Sequence, residues 1–465
     1  MCWRRLCFYL PFSVNIVGSQ DMDEFFYLKL INIFLSSFFL LGAWCARKIF
    51  SVWLNPVSIF SLLWFFYTVF PLLVAFEAPV SPFAILYILI FCFVFSLSSF
   101  VFPWGVAFSR NENKPNASCY FDVPLMVLAF YSCSGISAIM IFWGVLQQGI
   151  SLEQLLNNPV SIGGIYAGKR YSGEIVSSVF SQVGLQCSYY TAVFGGLIYG
   201  ARSEARGRFK LLFFTFLPAL LVMLLQSAKG LFFFSIFLFF GGMLVSRVYN
   251  KNYTLVGFKD FRFLLLYGLL ILPILIFSFL SRGIYQLDDT ALMINRLRYY
   301  LVTYSSVHLP AFSDWFSERY FGESLMHYRQ ESSTLGFYTF MSFFQLAGDD
   351  RSVAMGVYDE FFTYGEYVKG NLYTVFRGII TDFGLLGSLF FAFILGLFCN
   401  LCYWRLLCRN GSAFAILFFC YFVAISYQTY IISSLTWLTL PFVFIVQWFM
   451  LGFLLKFRFY TRSKV

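Results

Sequence analysis

Hydrophobic and polar positions along this chain alternate in blocks of tens of residues, far longer than the repeats that mark amphipathic helices or strands. Apolar runs of about 20 residues, each enough to cross a hydrocarbon layer roughly 30 Å thick, fall at 25–44, 57–76, 82–102, 123–145, 176–200, 211–226, 231–246, 263–280, 383–404, 412–432 and 436–455. They predict eleven membrane helices. Most connections are short. The two longer ones, 146–174 and 281–375, lie on the same side. Residues 1–24 form a separate N-terminal segment, in which "WRRLCFYLPFSVNIV" joins a basic start to an apolar run too short for a normal span. That run fits a signal-peptide core, a twelfth crossing, or a stretch upstream of a true start at Met22. The pattern as a whole is an all-α, polytopic integral membrane protein of 11 to 12 helices. Its expected parts are 25–280 (eight spans), 281–375 (one large external loop) and 376–465 (three spans and a tail).

Composition fixes the class. Of 465 residues, 60% are hydrophobic, 23% aromatic and 12% charged, well outside the range of soluble domains. The net charge of +10 is a matter of topology. Arg47/Lys48, Arg110/Lys114, Arg202/Arg206/Arg208/Lys210, Arg247/Lys251/Lys259/Arg262, Arg405/Arg409 and Lys456/Arg458/Arg462/Lys464 occupy alternate connections. Basic residues favour the cytoplasmic side, so these connections and the C-terminus are expected inside, and no nucleic-acid partner is implied. None of the eleven cysteines lies in 281–375, which argues against an external disulfide framework. Cys399 and Cys402, near Cys408, read as small packing residues.

The long external segment carries eleven acidic and seven basic residues. It is too aromatic for a disordered linker, and 290–307 has helical apolar spacing. A long ordered loop in a protein of short loops is where function tends to sit. Four cationic positions oppose the topological bias, namely Lys169/Arg170, Lys229, Arg282 and Arg377. One by one, each reads as a side chain snorkelling to the lipid phosphates. Together, at the outer ends of separate spans, they point to a shared anion site. In "GNLYTVFRGIITDFGLLGSLFFAFILG", Thr374, Arg377 and Thr381 share a helix face with Tyr373, and Asp382 either holds Arg377 or acts chemically. His308, His327 and the loop acids are further candidates for taking a proton. The pairs Asp288/Asp289 and Asp349/Asp350 read as solvated loop residues, and neither metal nor cofactor is expected. An outer-face cavity rimmed by cations and backed by aromatic rings suits a lipid-linked diphosphate bearing sugar.

From about residue 22 onward the chain resembles the O-antigen polymerase (Wzy-type) family of bacterial polysaccharide polymerases. The likeness is carried by "NPVSIFSLLWFFYTVFPLL" (55–73), "SAKGLFFFSIFLFFGGML" (227–244), "RYYLVTYSSVHLPAF" (298–312) and, most specifically, residues 370–396. The R-x10-G pattern of one branch is absent: Ser181 follows Arg170 at that spacing and Met293 follows Arg282. The resemblance implies a GT-C-like helical membrane fold in the bacterial inner membrane, with the active site facing the periplasm and no metal. It implies glycosyl transfer between undecaprenyl-diphosphate-linked oligosaccharide units, with a chain-length regulator as the protein partner such an enzyme would meet. Arg282, Arg377 and Asp382 are then the expected catalytic residues, and Arg170, Lys229 and Tyr373 the expected substrate-binding ones. The expected chemistry is displacement at the anomeric carbon with undecaprenyl diphosphate leaving. Competing readings are a flippase for the same lipid-linked units, an O-antigen ligase, and more remotely a membrane O-acyltransferase.

Overall fold

The computed structural model describes residues 19–176, 178–202, 207–281, 284, 289–329, 333–351, 357–366, 368–409 and 412–462. The question of how the N-terminus is processed therefore lies outside the described residues.

Among these residues, eight helices are long and apolar enough to cross a membrane: Glu24–Phe50, Pro56–Val74, Pro82–Val101, Pro124–Leu146, Arg208–Leu225, Lys229–Tyr249, Thr374–Cys408 and Thr439–Phe457. The chain is a multi-pass, all-helical membrane protein. The other three expected spans fall on the helices Val179–Ala201, Phe258–Leu280 and Ala413–Gln428. Val179–Ala201 tolerates Ser181, Gln186, Ser188 and Thr191 because it packs against three neighbouring helices, Pro124–Leu146, Arg208–Leu225 and Lys229–Tyr249. There Gly196 and Gly200, spaced as a small-xxx-small pair, sit against the backbone of Phe239 and Met243, the close approach such pairs permit between membrane helices. The Ser246 hydroxyl completes the contact by donating to the Leu197 carbonyl at 2.6 Å.

Local signals explain the helix starts. Pro56, Pro82 and Pro124 each stand in the first turn of a span, where the missing N–H costs nothing. Asn55 caps the first of these by accepting from Ser58 N at 2.8 Å. On the predicted inner side, Arg409 ends the helix Thr374–Cys408. It donates to the carbonyls of Pro115 and Tyr249, with its guanidinium 4.5 Å from the Tyr249 ring. A charge expected to serve topology is thus also a cap for the C-terminus of Lys229–Tyr249.

The segment 289–370, in its described residues, is folded. It contains helices Thr290–Ser306, as the spacing predicts, His308–Phe321 and Phe337–Leu346, followed by an antiparallel hairpin pairing Phe362–Tyr364 with Val368–Gly370. The hairpin is the one departure from the helical expectation among the described residues. Helix His308–Phe321 buries Leu309, Phe312, Trp315 and Phe316 in the same core as the spans, with Phe312 ringed by Tyr87 and Phe376. The helix expected to run straight from Thr374 into the lipid is instead broken at Gly384 (φ 68°, ψ −179°). Its first part, up to Phe383, bonds to Glu360, Tyr338 and Thr339 of the preceding segment.

Candidate functional site

The sequence-predicted residues separate into two neighbourhoods. The first is built on the short outer part of Thr374–Cys408. Arg377 is fully buried. Its Nη2 meets Glu360 Oε2 at 3.0 Å, and its guanidinium lies 4.0 Å from the Tyr358 ring, 4.4 Å from Tyr373, 5.5 Å from Trp315 and 5.6 Å from Tyr328. Tyr373 donates its hydroxyl to the Glu360 carbonyl at 3.0 Å, and Asn371 donates to the Tyr358 carbonyl at 2.9 Å. Tyr328 in turn donates to Asp314 at 2.8 Å, whose carboxyl burial raises above its ordinary range. A guanidinium enclosed in this way compensates a carboxylate and aromatic quadrupoles. In this state it offers no surface to a substrate, so Arg377 and Tyr373 fasten the hairpin segment to the membrane helix.

Asp382 does not pair with Arg377; Glu360 takes that place. The Asp382 carboxylate accepts from Thr334 Oγ1, from Tyr338 N at 3.1 Å, from Thr339 N at 2.6 Å and from Thr339 Oγ1 at 2.6 Å. Tyr338 and Thr339 are in the first turn of Phe337–Leu346, so Asp382 caps that helix from another element. A carboxylate accepting four hydrogen bonds has its lone pairs occupied and none turned toward a proton donor on a substrate.

The second neighbourhood joins Arg170 and Lys229. Gly163 and Gly164 let the helix Pro159–Tyr171 lie directly on the backbone of Leu224 and Ser281, which brings its basic end to the loop after Leu225. Arg170 Nη2 donates to the Gln226 carbonyl at 3.0 Å, with the Tyr166 ring 5.4 Å from the guanidinium. Lys229, three residues past Gln226, donates to the Ser278 carbonyl at 3.0 Å and sits 4.2 Å from the centre of Phe279. Lys169 is turned away onto the Gln148 carbonyl. Arg170 has no carboxylate partner among the described residues, unlike Arg377. Both of its contacts, Tyr166 and Gln226, line a cavity of about 170 Å³ whose other polar walls are Ser178, Ser181 and Gln182. Arg282 lies outside the described residues. The partners named for Arg377 and those named for Arg170 and Lys229 have no residue in common.

His308 stands apart from both sets. It is buried, and its Nε2 meets the Tyr67 carbonyl at 2.9 Å, between the rings of Tyr67 and Tyr430. A carbonyl only accepts, so Nε2 carries the proton and Nδ1, buried without a hydrogen-bond partner, keeps the lone pair. Desolvation outweighs that bond and lowers the imidazole pKa to about 4. Cys399, Cys402 and Cys408 are free and buried, as packing residues should be.

The sequence reading missed Glu360, the polar lining of the cavity, and Lys29. Lys29 bonds the Ala78 carbonyl at 2.7 Å between Phe25 and Phe76. Tyr166 was legible in principle, since it precedes Arg170 by one helical turn. Lys29 was hidden inside an apolar run. No protein-family model, curated protein or solved structure matches this chain, so the roles of these residues rest on their geometry.

Proposed function

We propose that this chain is a membrane glycosyltransferase that polymerises undecaprenyl-diphosphate-linked oligosaccharide repeat units on the periplasmic face of the bacterial inner membrane. One observation carries the reading. Arg170, a cation without a carboxylate partner among the described residues, borders a cavity walled by hydroxyl, amide and phenol groups, and its partner Gln226 stands three residues before Lys229. A planar guanidinium beside neutral hydrogen-bonding groups suits a glycosyl phosphate. In the reaction, an acceptor hydroxyl oxygen bonds to the anomeric carbon as the bond from that carbon to the carrier diphosphate breaks, and the hydroxyl proton passes to the departing diphosphate. Arg170 and Lys229 stabilise the charge that the departing diphosphate gains. Arg377, Tyr373 and Asp382 hold the external layer over this face.

Deleting the gene should leave single repeat units outside the membrane. Restoring it as Arg170→Ala or Lys229→Ala, at normal membrane abundance, should give glycans much shorter than the restored parent. Full-length chains from both variants overturn the reading. A flippase is favoured by one feature, the break at Gly384, because discontinuous membrane helices are characteristic of transporters. Single units trapped inside after deletion would select it, and long chains left on the carrier lipid would select a ligase.

A further inference from the structure

The cavity beside Arg170 has a size and lining that narrow its ligand. We infer that it is the subsite for a single uncharged pyranose ring, the sugar attached directly to the diphosphate, with that phosphate held at Arg170. The inference rests on the glycosyltransferase reading and sharpens it.

Three observations carry it. The first is volume. An engineered cavity of roughly 150 Å³ holds one benzene ring, so a cavity of about 170 Å³ has the size of one ring rather than of an oligosaccharide. The second is the division of the walls. Leu185 and Val222 are apolar, while Tyr166, Ser181, Gln182 and Gln226 are polar, which matches a sugar ring, with C–H faces between hydroxyl edges. The third is charge. No Asp, Glu, Lys, Arg or His lines the cavity. A sugar carboxylate placed there would be desolvated with no counter-charge, so the site selects against uronic acids. The guanidinium of Arg170 lies against Tyr166 and Gln226, where the phosphate of a bound sugar would emerge.

The test uses the full chain in lipid nanodiscs and three probes: farnesyl diphosphate, the same carrier bearing one neutral pyranose, and the same carrier bearing a uronic acid. For the parent protein the neutral conjugate should bind about tenfold more tightly than the bare carrier, the equivalent of one or two net hydrogen bonds. The uronic conjugate should show no such gain. Gln182→Trp, which fills the cavity from its exposed side, should bring the ratio of neutral conjugate to bare carrier down to one. Gln226→Leu nearly preserves volume, removes one polar wall and tests the subsite independently of any folding defect at 182; it should lower the ratio about threefold. Equal binding of bare and neutral-sugar carriers by the parent, an equal gain from the uronic acid, or an unchanged ratio in both variants overturns the subsite while leaving the polymerase reading in place. Failure of all three probes to bind saturably overturns both.

Discussion

Arg377 has lost its water entirely, and the compensating charge is Glu360 at 3.0 Å. Breaking a buried pair by removing one partner strands the other and costs on the order of 3–5 kcal/mol. Arg377→Met and Glu360→Gln should therefore each lower the thermal midpoint of the purified protein strongly, and the double variant should lose less than the sum. A double variant as additive as two distant sites would show that the pair is not coupled. His308 makes a second residue-scale test. The fold keeps its imidazole neutral down to about pH 4, whereas an unfolded chain takes up that proton near pH 6.5. Between these values protons bind the unfolded chain preferentially, so stability is complete above about 6.5 and declines as the pH falls. Between pH 6.5 and 5 the loss should be about 2 kcal/mol. His308→Gln should flatten that part of the thermal-midpoint profile. At this scale the sequence showed which outer-face cations were unusual but not what neutralises them. Glu360 is seventeen positions from Arg377 across a hairpin, and neither hydropathy nor helical spacing reports such a pairing.

Among the elements, the spans were the most legible part, because long apolar runs have few alternatives to a membrane helix. The break in Thr374–Cys408 was not legible. Gly384 is one of four glycines in that stretch, and only its backbone angles (φ 68°, ψ −179°) mark it as the hinge. That region is almost closed to residues with a Cβ, at a cost of about 1–3 kcal/mol. Gly384→Ala should lower the thermal midpoint even though a methyl group there meets no atom within 4 Å. The strain is conformational, not steric. Gly196→Ala should be destabilising for the opposite reason, since its methyl group would run into the Phe239 carbonyl, and overpacking typically costs about 1–3 kcal/mol. Gly135→Ala is the control: it lies in the helix Pro124–Leu146 with open space around it, and its midpoint should hold or rise. If all three behaved alike, neither the hinge nor the helix contact would be doing what their geometry implies.

The whole molecule depends on which side of the membrane the two cation neighbourhoods face. The inside assignment rests on counting basic residues in alternate connections. Arg409, Asn111, Asn250 and the ends of three helices meet at one end of the bundle. Arg170, Lys229 and the external segment follow the opposite helix ends. Cysteines placed at Glu323 and Asn113, both exposed, should separate these ends with a membrane-impermeant maleimide. Among the native cysteines in the described residues, Cys45 alone is exposed, and it lies on the span Glu24–Phe50, so added labelling should stand clear of background. In intact cells permeabilised only at the outer membrane, position 323 should label and position 113 should not, until the inner membrane is opened. The reverse pattern would put Arg170 and its cavity on the side where nucleotide sugars are available and finished lipid-linked units are not. A polymerase of completed repeats has no substrate there, so one labelling experiment can dismiss the proposed chemistry without any knowledge of the sugar.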